Sequence, residues 1–63
     1  MPIAHIYILE GRDAAQKAAA IARVTEALSE TLGAAPETIR VLLHETEKQN
    51  WGIAGVPASK ARK

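Results

Sequence analysis

The sequence predicts an α+β protein built on a single β-α-β unit with two parallel strands, followed by a C-terminal hairpin or arm. Three observations predict it. A β-branched and aromatic run, "IAHIYIL", stands near the start between Pro2 and Gly11. A stretch of about 20 residues with apolar positions three and four apart follows, and then a second short apolar run, "IRVLLHE". Strand, helix, strand in that order is a crossover unit, with parallel strands and a right-handed connection.

In the first strand Ala4, Ile6 and Ile8 fall on one face and Ile3, His5, Tyr7 and Leu9 on the other. Neither face is freely soluble, so both are expected to be covered, as in a parallel or sandwiched strand. The helix starts at "DAAQ", where Asp13 takes the N-cap position and Gln16 stands three residues on, as in a capping box. Ile21, Val24, Leu28 and Leu32 form its apolar stripe, opposite Gln16, Arg23, Glu26 and Glu30, and Gly33 supplies the stop. "AAPET" reads as a short connection of one helical turn with Pro36 first. In the second strand Ile39, Val41 and Leu43 share one face, and Arg40, Leu42 and His44 the other. "NWGIAGVPASK", with two glycines and a proline among small apolar residues, suggests a tight hairpin or an arm lying on another subunit.

The 63 residues, 48% hydrophobic and 24% charged, describe one globular domain spanning 1–63. A chain this short buries only about 60% of its unfolded surface, and small domains make up the difference with disulfides, metals or neighbours. There is no cysteine, and His5 and His44 have no partner at ligand spacing, so neighbours remain and an oligomer is expected. No leader and no long apolar run mark the chain for export or a membrane, which makes a cytoplasmic location the expectation. The net charge of +1, with its basic residues clustered only at Lys60, Arg62 and Lys63, argues against a nucleic-acid partner.

Taken singly, the chemically able residues have plain explanations. Arg12 ends the first strand and Arg40 sits early in the second, so in one subunit they lie near opposite ends of the sheet; each alone reads as a surface or interface ion pair. Trp51 reads as a packed anchor and Tyr7 as structural, while His5 and His44 read as sheet or interface residues satisfied by hydrogen bonds. Proline after the start methionine commonly governs only methionine removal. If Met1 is removed, however, Pro2 exposes a secondary amine that is a base when unprotonated.

Their joint spacing says more. Pro2, "ILEGR" ending at Arg12, the "GR-D-x-x-Q-K" stretch from Gly11 to Lys17, "IRVLLHE" carrying Arg40, "NWGIAG" carrying Trp51 and the tail "ASK" from Ala58 to Lys60 together resemble the 4-oxalocrotonate tautomerase family over nearly the whole chain. The resemblance implies removal of Met1 and a catalytic Pro2 that shuttles a proton in the enol-to-keto isomerisation of a 2-hydroxymuconate-like dienol acid, with no metal and no cofactor. It implies that Arg12 and Arg40 bind the carboxylates of a small-molecule substrate and assist catalysis. Trp51 stands at the substrate-binding aromatic position, usually phenylalanine. It also implies a homo-oligomer, commonly a hexamer, with sites shared between chains, which would bring Arg12 and Arg40 of different subunits to one Pro2.

The chemistry is consistent on physical grounds. An amino terminus ordinarily ionises near pH 8, so a base working at pH 7 needs its charged form destabilised. An arginine about 6 Å away contributes about 2.8 kcal/mol at an effective dielectric near 20, which moves that ionisation down by about two pH units. Two alternatives stand beside this reading. One is a non-catalytic oligomeric binding module of the same fold. The other is a related proline-dependent hydratase or decarboxylase, of which hydration requires a water-activating carboxylate near the position held by Ile53.

Overall fold

The computed structural model describes residues 1–61. Strand β1 (Ile3–Leu9) leads through Gly11 into helix α1 (Ala14–Leu32), and a 3-10 turn (Pro36–Thr38) leads to strand β2 (Arg40–Thr46). A second 3-10 turn (Lys48–Asn50) precedes a short hairpin, β3 (Gly52–Ile53) and β4 (Val56–Pro57), and a final turn of helix, α2 (Ala58–Ala61). β1 and β2 pair in parallel with Ile3 opposite Arg40 and Leu9 opposite Thr46, while β3 and β4 pair antiparallel. This is the expected α+β unit, and its C-terminal segment is the hairpin rather than an extended arm.

Local chemistry sets the boundaries. The Asp13 carboxylate accepts from the Gln16 N–H at 2.8 Å and the Gln16 side chain accepts from the Asp13 N–H at 3.1 Å, so the capping box closes in both directions. At the other end Gly33 adopts φ +69° and its N–H donates to Ser29 O, the left-handed stop that a side chain would resist. The hairpin turns on Ala54 and Gly55, with φ of +52° and +87°, the two positive values of a type I′ turn. One boundary differs from the sequence pattern. Ile39 is not part of β2; it closes the preceding 3-10 turn through its N–H to Pro36 O, yet it is one of only two buried apolar residues among those described.

Helix α1 packs against β2 on the face that carries Val41 and Leu43, and the Lys17–Glu45 ion pair at 3.2 Å ties the two elements on that side. Val24 and Leu28 are half-buried there, but Ile21 and Leu32 at the two ends of the stripe stay exposed. The opposite sheet face, with Ile3, His5, Tyr7, Leu9, Arg40, Leu42, His44 and Thr46, carries no helix. There Ile3, Tyr7 and Leu42 are 59%, 66% and 41% exposed.

The dimensions agree with an uncovered sheet. The extents are 42 × 23 × 13 Å and the radius of gyration is 14.6 Å, against about 11 Å for a compact domain of this length. The accessible surface is 4745 Å², against about 3,900 Å² for a compact monomer of 6.7 kDa.

Candidate active site

Pro2 sits at the mouth of β1, half-buried, with Met1 82% exposed beyond it. Its carbonyl accepts from the Arg40 N–H at 3.0 Å, which makes Pro2 the first residue anchored by the sheet. Proline has no N–H to offer a ladder, so the sheet holds this residue by its carbonyl and leaves its nitrogen unused. With Met1 attached, that nitrogen is an amide and has no basic lone pair. Removal of Met1 would convert it to an amine without costing the strand a hydrogen bond.

Arg40 begins β2 opposite Ile3, the neighbour of Pro2, but its guanidinium turns back and donates from Nη1 to Glu37 O at 2.9 Å. Arg12 lies beyond the other end of β1, and its Nη1 donates to Leu9 O at 3.2 Å. Each contact is to a neutral carbonyl three residues earlier and uses one edge of an exposed guanidinium. The surface ion pair that each arginine alone suggests does not form with any described residue. Both cations are therefore held in place with N–H groups still open to an anion, the arrangement that suits paired recognition of a carboxylate.

Trp51 is half-buried at the close of the second 3-10 turn. Its N–H donates to Lys48 O at 3.2 Å and its carbonyl accepts from Ala58 N–H at 2.7 Å, so the backbone fixes it between the turn and α2. A bond from the Lys48 N–H to the Glu10 carboxylate at 3.4 Å ties this turn to the end of β1. The open cleft alongside is lined by Glu10, Glu47, Lys48, Gln49 and Ser59, a set with two carboxylates and poorly suited to an anionic ligand.

One chain thus carries Pro2 and Arg40 at one end of the sheet and Arg12 at the other. The register separates Ile3 from Leu9 by six residues, about 20 Å at a strand's rise. No small acid spans both ends, so these residues form no complete site within a single chain.

The pairing of His5 with His44 is the feature that sequence reading missed. Their facing nitrogens lie 2.8 Å apart, and Tyr7 stacks on His44 with ring centroids 4.6 Å apart. Strand alternation places all three on one face, but only the register brings them into contact.

A parallel two-stranded sheet under one helix, followed by a short antiparallel hairpin, defines a β-α-β protein of the α+β class. Comparison with known proteins agrees. The sequence profile of the family described as "Tautomerase enzyme" matches residues 2–61. A 2-hydroxymuconate tautomerase from Comamonas testosteroni is 53% identical over 60 residues, covering 95% of each chain. A solved structure from work on the 4-oxalocrotonate tautomerase isozymes of Methylibium petroleiphilum is 50% identical, covers 92% of this chain and 94% of that one, and superposes with a TM-score of 0.89. A heterohexamer 4-oxalocrotonate tautomerase from Chloroflexus aurantiacus shares the fold at a TM-score of 0.92, with 24% identity and coverage of 98% and 100%. The chain belongs to the tautomerase family, and with it to the isomerases.

Proposed function

We propose that this tautomerase converts 2-hydroxymuconate-like dienol acids to their keto forms without a cofactor, with the nitrogen of Pro2 as the general base once Met1 has been removed. The observation that carries the reading is the anchoring of Pro2 by its carbonyl alone, beside Arg40, at the mouth of β1. The neutral amine takes the proton of the enol oxygen; the electrons move along the dienol to form the dienolate; the same nitrogen then returns the proton to carbon. One base that moves a proton between two sites needs no second acid. Arg40 stabilises the charge that develops on the enolate oxygen, Arg12 holds the distal carboxylate, and Trp51 supplies an apolar wall. The guanidinium charge also disfavours the protonated amine, which keeps the base free near neutral pH.

This site needs more than one chain. A homo-oligomer, of which the hexamer is the favoured form, covers the sheet face that is bare in one chain and brings Arg12 from one subunit toward Pro2 of another. The bare sheet face, together with a flat shape and more surface than a compact monomer of this mass exposes, supports that assembly. Hydration is disfavoured because Ile53, in β3, puts an alkyl group where a water-activating carboxylate would stand.

The test is turnover of purified 2-hydroxymuconate, followed by ultraviolet absorbance and by product analysis. Formation of the 2-keto isomer alone supports the reading. Loss of carbon dioxide or uptake of water would shift it to a decarboxylase or hydratase. The absence of any turnover by a chain shown to lack Met1 would leave a binding module.

A further inference from the structure

The sheet face opposite α1 carries a group that the proposed chemistry does not use. His5 Nδ1 and His44 Nε2 are 2.8 Å apart, with ring centroids at 5.1 Å and planes inclined by 15°. Tyr7 stacks on His44, with the ring planes inclined by 20°. The titratable and charged groups sharing this face are Tyr7 from β1 and Arg40 from β2. Glu45 points to the helix side and pairs with Lys17, and the Glu10 carboxylate accepts from the Lys48 N–H. Among the described residues of β1 and β2, no carboxylate is therefore placed to neutralise added positive charge here.

Counting protons shows what the pair tolerates. Two neutral imidazoles carry two N–H groups on four ring nitrogens, and one of the facing nitrogens donates to the other. A third proton leaves that bridge intact. A fourth makes both facing nitrogens donors, removes the acceptor and sets two like charges side by side. In a chain with this face open to water the rings can swing apart and accept it. Under a covering surface they cannot.

We propose that the His5–His44 pair makes self-assembly pH-dependent: a second copy of this chain covers this face above the histidine titration range and leaves it as the pair becomes doubly protonated. The proposal rests on the oligomeric reading above, which supplies the occupant: a second copy, covering the face on which Ile3, Tyr7 and Leu42 stand bare in a single chain. The covered pair binds one proton fewer than the free pair, so assembly is fully strong above the histidine range and weakens as pH falls. One withheld proton per chain lets the dissociation constant rise by up to about tenfold for each pH unit of acidification.

Sedimentation equilibrium of the full chain at pH 8 and at about one unit below the histidine midpoint tests this, with His5→Gln and His44→Gln alongside. Glutamine keeps a donor and an acceptor but takes no proton. The wild-type dissociation constant should rise at least about tenfold across that range, and either variant should change by less than about threefold. A wild type that assembles equally at both pH values, or variants that follow its pH response, would overturn the proposal. A wild type that is monomeric at pH 8 would instead overturn the oligomeric reading on which it stands. Should the variants not fold, histidine ring resonances of the assembled wild type decide the matter. One proton taken up per chain supports the proposal, and two overturn it.

Discussion

Replacing Leu42 by lysine strikes the bare sheet face without touching the proposed chemistry. Leu42 stands opposite His5 in β2, on the face that α1 does not cover, and 41% of it is exposed. Complete burial of a leucine stabilises by about 2 kcal/mol, so covering what remains is worth about 0.8 kcal/mol per chain. Lysine forfeits that and adds an ammonium among Arg40 and two histidines, with no acid on this face of the strands to pair with. An unpaired buried charge costs several kcal/mol; taking about 3, the total is about 4 kcal/mol per chain. That corresponds to a rise of about a thousandfold in the dissociation constant. Sedimentation velocity at micromolar concentration reads the assembly, and circular dichroism at the same concentration reads the helix. The expected result is a slower-sedimenting species with kcat/KM reduced in step, because Arg12 no longer reaches a neighbouring Pro2. A Leu42→Lys protein that sediments and turns over like the wild type would show that this face is not an interface.

Three further outcomes are expected. Asp13→Ala removes one half of the capping box and should cost about 0.5–2 kcal/mol in chemical denaturation, with Asp13→Asn nearly neutral. Arg12→Ala should chiefly raise KM, through lost binding of the distal carboxylate. Arg40→Ala should also lower kcat, through lost stabilisation of the dienolate, and steady-state kinetics separate the two. Ala54→Asn, at φ +52° in the hairpin turn, should stabilise the protein by up to about 1 kcal/mol in thermal unfolding, because asparagine tolerates the left-handed region better than alanine.

Features fixed by a few neighbouring residues were legible in the sequence. Asp13 with Gln16 and Gly33 bracket the helix because capping is decided within one turn of chain. β1 runs from Ile3 to Leu9 because Pro2 and Gly11 bound an apolar run. What depends on long-range pairing was not legible. The contact of Pro2 with Arg40 and the meeting of His5 with His44 both follow from the register of β1 on β2, which strand alternation does not specify. Ile39 fits the apolar alternation of β2 yet serves the preceding turn, since its N–H is taken by Pro36 O. The proposed roles of Pro2, Arg12, Arg40 and Trp51 come from the family resemblance, and the fold of one chain does not gather them into one place. Pro2 and Arg40 lie about 20 Å from the end of the sheet that Arg12 follows.

The central claim is that the nitrogen of Pro2 is the base, and it is tested most directly by comparing the chain with and without Met1. Intact mass spectrometry assigns each preparation, and initial rates of 2-hydroxymuconate ketonisation are measured on both at the same assembly state. Since a general base contributes about 10²–10⁴ in rate, the form retaining Met1 should be slower by at least about a hundredfold. Equal rates for the two forms would contradict the account, because an amide nitrogen cannot carry the proton.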